Sequence, residues 1–124
     1  MADDARLMRF RKIIDNAIRA LPRSQLCSTN LYLDTKAVKE GATVGPPLQK
    51  IRAKRAALVV FVDEDPRANF SHDCRYRFYD PQSQRFLYET RAQFPPWLNY
   101  IPKTYFAIHQ PVRRTVRDER RPHG

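Results

Sequence analysis

The sequence predicts an α+β fold, in which an N-terminal amphipathic helix precedes a small, mainly antiparallel sheet of about four to five strands. Apolar residues recur at helical spacing in residues 5–21, and an unbroken apolar run spans Ala56–Val62. Aromatic and charged residues alternate on both sides of a turn in residues 74–92. We expect residues 1–112 to form one domain with proline-rich connections and residues 113–124 to form an extended basic tail.

The helix is predicted from a single apolar stripe on one of its faces. The stripe consists of Leu7, Phe10, Ile14, Ala17 and Leu21. Pro22 ends the helix at or before Leu21. Such a stripe suits a core face, a seam for a partner helix or an interfacial membrane face. A core face is the most frequent of the three, and Arg6 and Arg9 beside the stripe leave contact with a partner as the alternative.

The run Ala56–Val62 predicts a central strand, because it is rich in β-branched residues and does not alternate, as expected for a strand covered on both faces. Thr29–Thr35 and Thr104–Gln110 predict further strands, and Lys36–Pro47 predicts a turn of helix followed by a loop. In the segment before the central strand, Lys50, Arg52 and Lys54 share one parity and would lie on one face of an extended chain.

A hairpin is predicted over about residues 74–92. Tyr76 and Phe78 alternate with Arg75 and Arg77, which indicates one apolar face and one wet, cationic face. The segment DPQSQ, beginning at Asp80, supplies the turn. Because the alternation separates arginines from aromatic rings, it favours phosphate contact by arginine over base stacking.

The segment RYRFYDPQSQRFL (Arg75–Leu87) resembles the YD-type hairpin of Rhs/YD-repeat proteins, in which a Tyr-Asp-Pro turn joins two aromatic strands. The resemblance covers about a tenth of the chain and places Ser83 where that turn usually has glycine. It implies a hairpin here and no function.

The chain has a net charge of +10 over 124 residues, and only residues 63–80 are acidic on balance. A spread positive charge suits contact with RNA phosphates, anionic lipid headgroups or acidic protein surfaces. The three glycines form no phosphate-binding loop. The longest apolar run is far shorter than the roughly 20 residues of a membrane span, so we expect no transmembrane segment.

The acidic cluster of Asp63, Glu64 and Asp65 directly follows the central strand. One interpretation is a metal-dependent nuclease or hydrolase centred on Asp63 and Asp65, with His72 and Asp73 nearby. The other is a solvated acidic turn between two strands, which we favour because no second motif at a diagnostic distance supports catalysis.

Cysteine and histidine spacing predicts neither a metal site nor a cofactor. Cys27 and Cys74 are widely separated, so we expect two unpaired, buried thiols, with one structural disulfide as the alternative. A zinc site would have to combine them with His72 and His109, and a nucleophilic Cys74 would have to use His109 as base. Neither has a spacing signal.

The function predicted from these features is a non-catalytic accessory or structural subunit of a large multiprotein assembly, most consistent with a mitochondrial respiratory-chain-type complex. An RNA-binding or ribosomal protein is the alternative. A matrix-side mitochondrial location is favoured over the cytoplasm, and the N-terminus lacks the apolar segment of a secretory signal. The residues predicted to bind partners are Arg6, Arg9, Phe10, Lys50, Arg52, Lys54, Arg75, Arg77, Arg113, Arg114, Arg117, Arg120 and Arg121.

Overall fold

The computed structural model describes residues 5–46, 49–68, 71–97, 100–113 and 117–118. In this part of the chain a 3-10 helix, Ala5–Phe10, leads into the α-helix α1, Arg11–Arg19, and a short 3-10 turn follows at Arg23–Gln25. The strands are β1 Asn30–Val38, β2 Thr43–Val44, β3 Ile51–Arg52, β4 Ala57–Asp63, β5 Cys74–Tyr79, β6 Phe86–Ala92, β7 Tyr100–Ile101, β8 Tyr105–His109 and β9 Arg117–Asp118. The predicted α+β class is confirmed.

The main sheet of the described residues has the strand order β6-β5-β4-β1-β8, and every neighbouring pair in it is antiparallel. β4 lies at its centre, and all seven of its residues are buried. Ala57–Val62 are buried as the apolar run predicts, whereas Ala56 is exposed before the strand and the buried Asp63 ends it. The pairs β2–β3 and β7–β9 lie outside this sheet, and the second of them is parallel.

One face of the sheet is covered by the N-terminal helical segment. The predicted stripe is buried there against leucines and valines of β1 and β4, and Ile13 joins it. The stripe is therefore a core face, and each of its Leu, Ile and Phe side chains contributes about 1.5–3 kcal/mol when it is removed from water. Among the described residues, no helix has both the length and the apolar character needed to cross a membrane.

Among the described residues, the opposite face is covered by irregular chain and short strand pairs rather than by a second helix. Trp97 lies against Tyr32 and Phe61 with ring centroids 5.0 and 5.1 Å away, edge-on to both. Tyr76 and Phe78 are fully buried on this side, so the predicted inward orientation of these aromatic residues is confirmed. Burial raises the pKa of the Tyr76 hydroxyl, which donates a hydrogen bond to the Phe94 carbonyl at 2.7 Å.

Three expectations about local structure are wrong. Lys36–Val38 continues β1, past an irregularity in its pairing with β4, instead of starting a helix. Lys50 has a left-handed φ of 55° and β3 is only two residues long, so Lys50, Arg52 and Lys54 do not form one extended face. The β5 part of the arginine-bearing face is not wet, because Arg75 and Arg77 are 18% and 12% exposed, whereas Glu89 and Arg91 on the β6 part of that face are exposed.

The predicted hairpin is present, and its turn is organised by Asp80. The Asp80 carboxylate accepts hydrogen bonds from the backbone N–H groups of Gln82 and Ser83, at 3.0 and 2.8 Å. These bonds, chiefly the one from Ser83, lower the pKa of Asp80. The left-handed residue of the turn is Gln84, with a φ of 64°, and not Ser83.

Candidate functional site

The described surface contains a groove between α1 and the tip of the β5–β6 hairpin. On α1 the groove is lined by Lys12, Asp15, Asn16 and Arg19, which follow one another at intervals of three, one and three residues. These side chains share one face of the helix, and this face lies opposite the buried stripe. The hairpin contributes Gln84, Arg85 and Phe86, and the open groove has a volume of about 410 Å³. We call this the helix–hairpin groove.

The groove continues toward the start of the helix in a second depression of about 170 Å³. This part shares Lys12 and Gln84 with the first and adds Met8, Arg9 and Arg11. Met8 and Phe86 are 56% and 41% exposed, so an apolar side chain flanks each part of the groove. Each of these side chains offers an apolar contact to a molecule bound in the groove.

Gln84 holds the two walls of the groove together. Its side-chain amide Nε2 donates a hydrogen bond to the carbonyl of Arg9, and its Oε1 accepts one from the N–H of Ile13 at 3.3 Å. Phe10, at the N-cap position of α1, makes no side-chain cap bond. The hairpin therefore supplies a side-chain hydrogen bond at the start of α1, where Phe10 makes none.

The floor of the groove is fixed by a network that connects Asn16 to the sheet. The Oδ1 atom of Asn16 accepts hydrogen bonds from the Tyr79 hydroxyl at 2.7 Å and from Arg77 at 3.1 Å. Burial raises the pKa of Tyr79, so its hydroxyl stays a proton donor at neutral pH. The Arg77 guanidinium also lies 4.1 Å from the centroid of the Phe86 ring.

Arg75 and Arg77 are neutralised within the fold. Arg77 contacts Glu89 at 2.8 Å, and Arg75 contacts Glu89 at 3.2 Å and Glu64 at 3.5 Å. Their predicted role in partner binding stays a prediction, but most of their charge is directed at carboxylates of this chain.

The groove cations have a different environment. Arg9, Arg11, Lys12, Arg19 and Arg85 are all exposed, and within the described ranges none of the five forms an ion pair with a carboxylate. Asp15 is the acidic residue among the lining side chains. Arg11 and Lys12 also lie in the first turn of α1, where the helix dipole disfavours cations. The groove therefore has a local excess of positive charge.

The other predicted partner-binding residues lie elsewhere. Phe10 is 5% exposed in the core beneath the helix, and the Arg6 guanidinium lies 5.0 Å from the Phe106 ring centroid. Arg113 is exposed beyond β8. Arg117 belongs to β9 by its backbone. Arg114, Arg120 and Arg121 lie outside the described residues.

The cations Lys50, Arg52 and Lys54 are exposed beside the face that lacks the helix. Lys54 places its Nζ atom 4.7 Å from the Tyr88 ring centroid. Tyr88 in turn stacks on Phe78, with ring centroids 4.4 Å apart and an interplanar angle of 11°. The Tyr88 ring therefore packs against the buried Phe78 ring, and the Lys54 ammonium group also contacts the Tyr88 ring.

The acidic cluster forms the predicted turn between β4 and β5, but Asp63 itself is buried. Its Oδ1 lies 2.8 Å from the Nε2 atom of His72 and accepts a bond from the N–H of Asp65 at 3.3 Å. Asp63 is 0% exposed, whereas Asp65 is exposed, so the two carboxylates do not face a common substrate site. No group of three or more acidic, histidine or cysteine side chains within the described segments is arranged to hold a metal ion.

Both cysteines are free thiols in different surroundings. Cys74 is buried opposite Asp63, and burial, reinforced by the charges of Glu64 and Asp73, raises its pKa to about 12. Cys27 is exposed, so the expectation of two buried thiols is wrong for it. His109 contacts the carbonyl of Leu26 at 2.7 Å and lies on β8, which β4 and β1 separate from the strand of Cys74.

Of the groove cations, only Arg9 was among the predicted partner-binding residues. The spacing of Lys12, Asn16 and Arg19 opposite the apolar stripe was available as a signal. No signal in the sequence indicated the contribution of Arg85, because that contribution depends on the packing of the hairpin tip beside α1. Comparison with models of protein families, with curated proteins and with solved structures finds no match to this chain.

Proposed function

We propose that the protein is a binding subunit of a larger assembly and that its helix–hairpin groove receives an acidic segment of a partner protein. The observation that carries this proposal is the set of five exposed cations around one groove, none paired with a carboxylate of the described chain, while Arg75 and Arg77 nearby are paired. An anionic partner would lower the repulsion among these cations.

An acidic protein segment suits this groove better than a nucleic-acid backbone for two reasons. Met8 and Phe86 provide apolar contacts at its rim, which a phosphodiester chain does not use. The amides of Asn16 and Gln84 line the same groove, and amides can form hydrogen bonds with the peptide groups of a protein segment.

The parent assembly stays a prediction, with a mitochondrial respiratory-chain-type complex favoured by the sequence. A second candidate function, RNA binding, is supported by a different surface. Lys50, Arg52 and Lys54 are exposed, Lys54 lies over the ring of Tyr88, and cations near an aromatic ring are common in RNA-binding surfaces.

The experiment is purification of the tagged full chain from its own cells, with and without nuclease, in matched charge variants. Lys12→Glu/Arg19→Glu reverses two groove charges. Lys36→Glu/Lys39→Glu makes the same change in net charge at exposed positions away from the groove. We expect protein partners to survive nuclease treatment, to be lost from the groove variant and to be kept by the control.

Purified protein separates the two candidate partners directly. Fluorescence anisotropy would compare a labelled acidic peptide with an RNA oligonucleotide of equal charge over a series of salt concentrations. Weaker peptide binding by the groove variant alone would support the proposal. Partners that are lost on nuclease treatment would assign the function to RNA binding. An equal loss of peptide binding in the groove variant and in the control variant would indicate nonspecific charge attraction.

A further inference from the structure

The strand β6 forms one edge of the main sheet and has seven residues. Within the described ranges no strand pairs with its outer side. The strand at the opposite edge, β8, is shorter and has Pro102 and Pro111 close to its ends, and proline prevents extension of a hydrogen-bonded ladder. β6 is therefore the longer open edge, and open edges are templates for pairing with another strand.

The charges along β6 are unbalanced within one chain. Arg91 lies directly across from Arg75, which places two like charges in one cross-strand pair. No described carboxylate forms an ion pair with Arg91. Glu89, on the same strand as Arg91, lies across from Arg77 of β5 and is partly exposed. A carboxylate can accept more hydrogen bonds than the two that Arg75 and Arg77 donate.

From this pattern we infer that two copies of the chain associate through their β6 edges, antiparallel and about a two-fold axis at Thr90. In this register Thr90 faces Thr90 of the second copy, and Glu89 of each copy faces Arg91 of the other. Cross-strand threonine pairs and opposite charges are both favourable. The interface is self-complementary, as two-fold symmetry requires.

The neighbouring symmetric registers are less favourable. Moving the axis by one residue toward the hairpin tip places Glu89 opposite Glu89, and moving it the other way places Arg91 opposite Arg91. Like charges directly across strands destabilise the pair. The charge pattern therefore favours the register centred on Thr90 over the two neighbouring symmetric registers.

The geometry of the pairing puts both helices on the same side of a continuous ten-stranded sheet, because the axis is perpendicular to the sheet. Phe86 lies four residues from Thr90, so the two hairpin tips are about 27 Å apart along the strands. The dimer would present two helix–hairpin grooves on one face. The self-association itself does not depend on what the grooves bind.

The first test is cysteine cross-linking of the full chain in a Cys27→Ser background, which leaves only the buried Cys74. Thr90→Cys places two thiols across the axis, within reach of a disulfide. Leu87→Cys is the matched control, because its two copies would lie about 20 Å apart along the strands. We expect mild oxidation to yield covalent dimers of the first variant far faster than of the second.

The second test uses charge and does not require a new thiol. Arg91→Glu places a carboxylate opposite Arg75 within the chain and opposite Glu89 in the dimer. The monomer should keep its fold, and the dissociation constant from sedimentation equilibrium should rise by about tenfold. Circular dichroism would confirm folding of every variant.

Equal cross-linking rates for the two cysteine variants would overturn the inference. So would a wild-type chain that stays monomeric over the whole concentration series, if Thr90→Cys also fails to cross-link. A dimer whose dissociation constant is unchanged by Arg91→Glu would assign the association to another surface.

Discussion

Gln84 has two opposing effects on stability that mutation can separate. Its side chain caps α1 through bonds to Arg9 and Ile13, but its backbone has a left-handed φ of 64°. Losing a helix cap destabilises a protein by about 1 kcal/mol. A left-handed conformation costs a residue with a Cβ atom about 1 kcal/mol relative to glycine.

Substitution of Gln84 by alanine removes both hydrogen bonds and retains the strained backbone. We expect the free energy of unfolding to fall by about 1–2 kcal/mol, since each bond contributes about 1 kcal/mol or less at an exposed site. Substitution by glycine removes the same bonds and relieves the strain. The glycine variant should therefore be more stable than the alanine variant by about 1 kcal/mol.

Urea unfolding followed by far-ultraviolet circular dichroism measures these differences. Gln82→Ala is the matched control, because Gln82 is exposed in the same turn and only its backbone forms a hydrogen bond among the described contacts. It should change stability by less than about 0.5 kcal/mol. An alanine variant as stable as wild type would refute the cap, and glycine and alanine variants of equal stability would refute the strain.

Gly45→Ala should destabilise the protein by more than Gly41→Ala in urea unfolding, although both glycines have left-handed φ values, 79° and 81°. A Cβ atom at Gly45 would lie 2.5 Å from Nε2 of Gln49 and 2.9 Å from the Tyr76 hydroxyl, whereas at Gly41 nothing lies within 4 Å. Asp34→Asn should stabilise the protein near neutral pH, because burial raises the pKa of Asp34 and ionisation therefore opposes folding. The advantage should shrink as the pH falls through the raised pKa toward about 4, where the wild-type carboxyl also becomes neutral.

The contrary outcomes for these two predictions are distinct. Equal losses at Gly45 and Gly41 would show that the close approach at Gly45 relaxes freely. An Asp34→Asn variant less stable than wild type near neutral pH would show that the hydrogen bond from the N–H of Lys36 to the carboxylate, at 3.0 Å, outweighs desolvation. Unfolding curves at several pH values would measure the second comparison.

Local pattern determined the elements of the fold. The spacing of Leu7, Phe10 and Ile14 predicted the buried helical face, and the unbroken run at Ala56–Val62 predicted the central strand. These signals are local because helix and strand periodicity decide which side chains can share a face. The hairpin was predictable for the same reason. The extended conformation of Lys36–Val38 was not predictable from local pattern, because the pairing of this segment with β4 is a long-range contact.

Only the tertiary structure decided which charges are free. Arg75 and Arg77 read as surface cations, yet Glu89 and Glu64 neutralise them across the hairpin and from the end of β4. Arg85 joins Lys12 in the groove because the hairpin tip packs beside α1. The amino-acid sequence by itself determined the net charge of +10 and the periodic faces, which are properties of local order and composition. The groove, the cap from Gln84 and the open edge at β6 depend on contacts between distant segments, and no local pattern encodes them.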